Sequence, residues 1–85
     1  MKKDAEDFGD EELDLVFVAK RLRDATRLEQ ILTDAGLDFA VEPEEYIGGF
    51  VFKTKRIGAF FYVRPEVVDQ ARSTLVANSF NPFQG

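Results

Sequence analysis

Four basic side chains cluster where a strand-like run gives way to a helix-like run. They are Lys20, Arg21, Arg23 and Arg27. Backbone N–H groups at a helix start favour anions, and guanidinium groups add bidentate contacts to a phosphate or carboxylate. One hypothesis is a small anionic ligand at this position. A solvated turn that balances acidic residues elsewhere is the favoured interpretation, because the glycine-rich approach loop that usually accompanies such sites is absent.

Three carboxylates lie together in the middle of the chain, at Glu42, Glu44 and Glu45. Carboxylate oxygens are suitable ligands for Mg²⁺ and Ca²⁺. The group lacks the Asp and Gly spacing of a calcium-binding loop, so a solvated turn is the favoured interpretation. We therefore predict no metal and no cofactor.

Few residues in the chain are of the types that commonly carry out catalysis. The chain has no histidine and no cysteine, which removes the commonest general base near neutral pH, the commonest zinc ligand and every disulfide. Pairs of carboxylates do catalyse acid–base reactions, but nothing in the pattern places two of them in one apolar pocket. The sequence predicts that the protein is not an enzyme.

Aromatic residues concentrate in two strand-like runs, residues 50–53 and 59–63. Side chains alternate along a strand, so aromatics occur on both faces, whereas the helices of a two-layer fold cover only one face. The uncovered face is predicted to carry Phe50, Phe52, Phe60 and Tyr62. Large apolar patches are uncommon on soluble monomers. We therefore expect a homo-oligomer, most simply a homodimer, or another protein partner on this face, with tails folding back over it as the plainer alternative.

Base stacking on the same rings is a second functional hypothesis. Residues 49–52 stand on the third predicted strand, where an RNA-recognition motif carries its stacking aromatics. The formal net charge of the chain is −5, and neutralising phosphates requires a basic surface. Single-stranded RNA binding is therefore the alternative, and nucleic acid is the less favoured partner.

Periodicity and capping residues predict the elements that would position these groups. Two amphipathic helices are delimited by Asp24 and Gly36 and by Pro65 and Asn78. Strand-like runs occupy residues 13–19, 37–42, 50–53 and 59–63. The last two runs are predicted to form a hairpin. The order β-α-β-β-β-α predicts an α+β, two-layer, ferredoxin-like sandwich whose last strand is short or missing.

Negative charge is concentrated at the N-terminal end. Residues 1–12 hold six carboxylates and two lysines, a net charge of −4, so the remainder sums to −1. Like charges without a hydrophobic period predict a disordered acidic leader over residues 1–12, followed by a domain at 13–78 and a tail at 79–85. The lack of cysteines, of a signal peptide and of a long apolar run predicts a cytoplasmic protein without membrane contact.

Two segments resemble a known family. Residues 32–37, Leu-Thr-Asp-Ala-Gly-Leu, are similar to its helix end of leucine, two residues, alanine-glycine-isoleucine. Residues 62–75 are similar to its valine-proline-glutamate, alanine-arginine and leucine pattern, with Arg64 between Val63 and Pro65. The family comprises prokaryotic signal-transducing domains of unknown function with PII-like ferredoxin folds. The resemblance implies that fold and a regulatory or signalling role, and it supplies no catalytic residue.

Overall fold

The structure, a computed structural model, describes residues 1–49, 51 and 53–83. Its elements are β1 (Lys2–Lys3), β2 (Asp14–Ala19), α1 (Leu22–Asp34), β3 (Phe39–Gly48), β4 (Thr54–Val63) and α2 (Val68–Ala77). Short 3₁₀ turns at Ala5–Phe8 and Pro65–Val67 precede β2 and α2. The strands form one mixed sheet in the order β1-β3-β4-β2. The fold is therefore α+β, as predicted.

Both helices pack on the same face of the sheet. Each buries one stripe, formed by Ala25, Leu28 and Leu32 on α1 and by Val68, Ala71 and Leu75 on α2. The stripes meet Phe39 and Phe61, whose stacked rings have centroids 5.9 Å apart. These residues form the helix-side core, and the opposite sheet face is called the far face below. None of the helices in the described part of the chain has the length and apolar content needed to span a membrane.

A β-bulge in β2 places adjacent residues in the same core. Leu15 pairs with Tyr62 and Phe17 pairs with Phe61, so Val16 is the extra residue. Val16 is fully buried in the helix-side core, and Phe17 packs against that core. Strict alternation would send these two neighbours to opposite faces, and the inserted residue removes that constraint.

The hairpin differs from the predicted one. β3 and β4 pair at nine positions, from Ala40 opposite Tyr62 to Gly48 opposite Thr54. The prediction that residues 50–53 pair with 59–63 is therefore wrong, and the order after β1 is β-α-β-β-α. β3 continues through Pro43 because no N–H is needed there on the side facing β1. The pairing with β1 ends at Ala40, so Pro43 lies on a strand edge, which tolerates a proline.

The N-terminal residues fold against the body, where their charge alone predicts a disordered leader. β1 and β2 lie at opposite edges of the sheet, and the helices occupy one face. The chain between these strands therefore passes over the far face. Phe8 is buried there, outside the helix-side core, with the guanidinium of Arg64 4.7 Å from its ring centroid. Arg64 also pairs with Glu11 at 2.8 Å. One apolar anchor and one cation thus hold a segment that its charge alone marks as disordered.

The C-terminal segment packs on the helix side and along the edge of β2. The left-handed residue after α2 is Ser79, with φ +67°, one residue beyond the predicted end at Asn78, whose φ is −107°. The ring of Phe80 meets Phe17 edge-on at 5.3 Å. The N–H of Phe83 donates to the carbonyl of Val16 at 2.7 Å. The far face is therefore approached by the N-terminal segment rather than by this one.

Candidate functional site

The four predicted anion-binding side chains are divided between two places. Lys20 and Arg21 line a cleft of about 370 Å³ between the start of α1 and the sheet. Arg23 and Arg27 line a separate groove that runs along α1 to Asn78. The division follows from helical geometry, because residues four apart share one helix face while Lys20 and Arg21 precede the helix. The structure thus brings two of the four side chains together.

The start of α1 explains the position of this pair. The helix begins at Leu22, so its capping position is held by Arg21, whose side chain makes no capping bond. The prediction that Asp24 caps the helix is wrong by three residues. Its carboxylate lies in the first turn instead, where negative charge still suits the helix dipole. The predicted end at Gly36 is confirmed by its φ of +77°.

The basic cleft, as we name it, combines cations with apolar walls. Its cationic residues are Lys2, Lys20 and Arg21, and its apolar residues include Leu22, Val41, Ile57 and Ala59. Lys2 pairs with Glu29 at 3.2 Å. Among the described residues, no carboxylate lies within ion-pair distance of Lys20 or Arg21. Leu22 and Ile57 are 85% and 71% exposed. Such a cleft suits an anionic group attached to an apolar body.

The hairpin extends past the end of β2. The last pair between β2 and β4 is Ala19 with Ala59, so Thr54–Gly58 pairs with β3 alone within the described part of the chain. We call residues 44–48 and 54–58 the hairpin arm. Gly58 lets the arm pass close to β2, since a Cβ there would lie 3.1 Å from the Tyr46 ring and 3.2 Å from the Ala19 carbonyl. The ammonium of Lys20 lies 5.5 Å from the centroid of that ring.

One strand of the arm is acidic and the other is basic. Glu44 and Glu45 lie on β3, whereas Lys55 and Arg56 lie on β4. The register sets Lys55 opposite Ile47, and it sets Arg56 opposite Tyr46, so neither cation faces a carboxylate across the strands.

The three carboxylates predicted to form a solvated turn are part of β3 instead. The hydroxyl of Tyr62 donates to the Glu44 carboxylate at 2.7 Å. Glu42 lies opposite Phe60, on the same face. Within the described ranges, no group of three or more carboxylates is arranged to hold a metal ion. The strand separates side chains that the sequence places together, since neighbours along a strand point to opposite faces.

The predicted interface on the far face is less exposed than expected. Phe60 and Tyr62 are half-buried, and the segment that carries Phe8 passes over the same face. Phe50 and Phe52 lie outside the described residues. Exposed large apolar side chains occur instead on the helix-side face of the arm, where Ile47 is 70% exposed and is a diagonal neighbour of Ile57. The sequence held a signal for this surface, because Ile57 continues the alternation of Ala59 and Phe61.

The hydroxyl of Tyr62 should lose its proton at an unusually high pH. Burial, the hydrogen bond to Glu44 and the charges of Glu44 and Glu42 raise the pKa of Tyr62 from its usual 10.0 to about 12. The folded state therefore holds the neutral phenol more tightly than the unfolded chain does. The resulting stabilisation is complete below pH 10 and is lost as the pH rises towards about 12. Phenolate absorbance should show one tyrosine titrating near this upper value.

Two variants assign this titration. Glu44→Gln should lower the high-pH midpoint because it removes a negative charge that disfavours the phenolate and replaces a charged acceptor by a neutral one. Tyr62→Phe should abolish that midpoint, since the chain has two tyrosines and only Tyr46 remains. Tyr62→Phe should also reduce the loss of stability between pH 10 and pH 12. If the variant Tyr62→Phe still shows the high-pH midpoint of the wild-type protein, the assignment to Tyr62 is wrong.

The start of α1, the basic cleft and the hairpin arm thus form one continuous surface at one end of the molecule. It combines Lys20 and Arg21, which form no ion pair with another described residue, with exposed aliphatic side chains and a strand edge. No model of a protein family, no curated protein and no solved structure matches this chain.

Proposed function

We propose that this protein is a non-catalytic regulatory or signalling module that recognises a protein or small ligand in the basic cleft. The recognised group is an anion, a carboxylate or a phosphate, attached to an apolar body. The cleft supplies charge through Arg21 and apolar contact through Leu22 and Ile57. Lys20 also lines the cleft, with its ammonium turned towards the Tyr46 ring. The role is binding, and the chain's own residues supply no reaction step.

The juxtaposition of Arg21 with exposed aliphatic side chains is the observation that carries this proposal. Leu22 and Ile57 lie in contact with water although each would gain about 1.5–3 kcal/mol from full burial. Arg21 lines the same cleft without a neutralising carboxylate in the described part of the chain. A ligand that has both chemistries would satisfy both groups together.

The proposed fold is a ferredoxin-like, PII-like sandwich. Its support is the order β-α-β-β-α after β1, with both helices on one face of the sheet. The tail beyond α2 runs along the edge of β2, which is where such a fold carries its final strand. The resemblance of residues 62–75 to signal-transducing domains supports the regulatory role.

Two other expectations have less support. A homo-oligomer through the far face would need Phe60 and Tyr62 to offer more surface than their half-buried positions provide. Single-stranded RNA binding on that face would bring phosphates towards Glu42 and Glu44, whose charges repel them. We therefore place recognition at the basic cleft.

Binding of anilinonaphthalene sulfonate, an anion on an aromatic body, tests the proposal. We expect chemical-shift changes in labelled protein at residues 19–22 and 57–59. Arg21→Glu should weaken this binding about tenfold or more, because a hydrogen bond to a charged group contributes about 1.5–3 kcal/mol. Arg27→Glu is the matched control, since it makes the same charge change on α1 outside the cleft.

The uncharged analogue N-phenylnaphthylamine separates the two chemistries. Arg21→Glu should leave its affinity unchanged, whereas Ile57→Ser should weaken both probes. Shift changes confined to the groove of Arg23 and Arg27, or equal effects of the two charge reversals, would contradict the proposal.

A further inference from the structure

We propose that the hairpin arm captures an extended acidic peptide, which adds to the free edge of β4 as a further strand. This inference rests on the proposed function, because the apolar side chains of the peptide would enter the basic cleft. It specifies the partner as a polypeptide and the mode of binding as main-chain pairing.

The free edge is the first observation. Along Thr54–Gly58, β4 pairs with β3 on one side, while β2 ends at Ala19, opposite Ala59. A strand directs alternate N–H and C=O groups to each side. Among residues 1–49, 51 and 53–83, no strand takes up the outer set along this stretch. An added strand would continue the line of β2 and supply those hydrogen bonds.

The helix-side surface beside this edge selects apolar residues. Ile57 and Leu22 both line the cleft, and Ile47 is the diagonal neighbour of Ile57 on the same face. Alternate residues of an added strand point to that face. Every second residue of the peptide should therefore be aliphatic.

The charges around the edge select acidic residues. Lys55 and Arg56 lie on the edge strand, and Lys20 and Arg21 lie where β2 ends. Among the described residues, none of these four cations forms an ion pair. The carboxylates of the arm lie on β3, away from this edge. Arg56 and the ammonium of Lys20 lie on the far face, so acidic residues of the peptide should occupy that face and alternate with the aliphatic ones. Lys55 shares the helix-side face with Ile57 and adds positive charge there.

The same charges disfavour a second copy of this chain on the edge. Pairing β4 with β4 of another copy would bring Lys55 and Arg56 close to their own counterparts. Like charges opposite each other destabilise a sheet, and lysine on an edge strand commonly blocks self-pairing. An acidic partner removes the repulsion that another copy would create.

The test uses the full chain and a fluorescein-labelled probe peptide of sequence acetyl-Glu-Ile-Glu-Val-Asp-Leu-Glu-amide. Fluorescence anisotropy should show saturable binding. Hydrogen exchange should slow at alternate amides within Thr54–Gly58 when the peptide is bound. Two N-methylated peptides, methylated at the acidic or at the aliphatic positions, provide the decisive control. Strand addition predicts that one methylated set abolishes binding while the other set is tolerated, because only one set of N–H groups faces β4.

Charge reversal tests the selection of acidic residues. The double substitution of Lys55→Glu and Arg56→Glu should weaken binding at least about tenfold, because each reversal converts an attraction into a repulsion. Arg23→Glu combined with Arg27→Glu is the matched control and should have a much smaller effect. Circular dichroism spectra of both variants check that the fold is retained.

Three outcomes would overturn the inference. Equal binding of both methylated peptides would show adhesion without strand pairing. If the probe peptide does not bind while anilinonaphthalene sulfonate still does, the proposed function stands and strand addition is excluded. The third outcome is a dimer in sedimentation velocity that the peptide does not dissociate. If the amides within Thr54–Gly58 are protected in that dimer, the edge is occupied by a second copy of the chain.

Discussion

Replacing Phe61 by alanine is expected to lower the free energy of unfolding by about 3–5 kcal/mol. Phe61 is fully buried on β4, and its ring stacks on Phe39 beneath both helices. The substitution removes apolar burial and leaves a cavity that the stacked neighbour fills only in part. Domains have a total stability of about 5–15 kcal/mol, so the variant should lie close to unfolding at room temperature.

Urea denaturation followed by circular dichroism measures this loss. Phe60→Ala is the matched control, because Phe60 is the next residue on the same strand and is half-buried on the far face. We expect it to cost about 1–2 kcal/mol, in proportion to the smaller area that it buries. Equal losses in the two variants would mean that the faces of β4 are wrongly assigned.

Phe8→Ala is expected to destabilise the protein by about 2–3 kcal/mol, as the loss of one buried aromatic side chain. Phe8 is buried in the N-terminal segment beneath the guanidinium of Arg64. Releasing this anchor should also loosen β1, so the amide of Phe39, which donates to the Met1 carbonyl, should exchange faster. A disordered N-terminal segment predicts neither effect.

The control for this variant is Phe83→Ala. Phe83 is also a phenylalanine in a terminal segment, but its side chain is 43% exposed, so its removal should change stability by less than about 1 kcal/mol. Equal and small effects of both substitutions would return residues 1–12 to the disordered leader that their charge predicts. A large effect of Phe8→Ala alone would establish this segment as part of the domain.

The N-terminal segment has a consequence for function. By passing over the far face, it reduces the aromatic surface available to a partner around Phe60 and Tyr62. The exposed aliphatic side chains then lie mainly at the opposite end of β4, beside the start of α1. Recognition is therefore expected at the end of the sheet rather than on its open face.

The proposed strand addition assigns two roles to the charges of the hairpin arm. A free strand edge with exposed aliphatic side chains promotes aggregation unless charges guard it. Lys55 and Arg56 provide such a guard on β4, and their charges remain available to an acidic strand. In the proposed strand addition, the same two residues would both disfavour self-pairing and select an acidic strand.

Local signals in the sequence determined the elements whose interactions are also local. The stripe of Leu28 and Leu32 follows helical spacing, and Gly36 has the positive φ that ends α1. The alternation of Phe61 with Phe60 correctly assigned one residue to the core and its neighbour to the far face. These features depend on contacts within a few residues, which periodicity and capping chemistry describe directly.

Tertiary structure decided every feature that depends on a partner distant in the chain. β3 pairs with Thr54–Tyr62 and continues past the predicted end at residue 42, and Phe8 lies beneath Arg64, which is far along the chain. The four basic side chains near the start of α1 divide into two sites because the helix turns two of them away from the cleft. Strand pairing and charge placement are set by the whole sheet, because a segment's own composition does not specify which other segment will cover it.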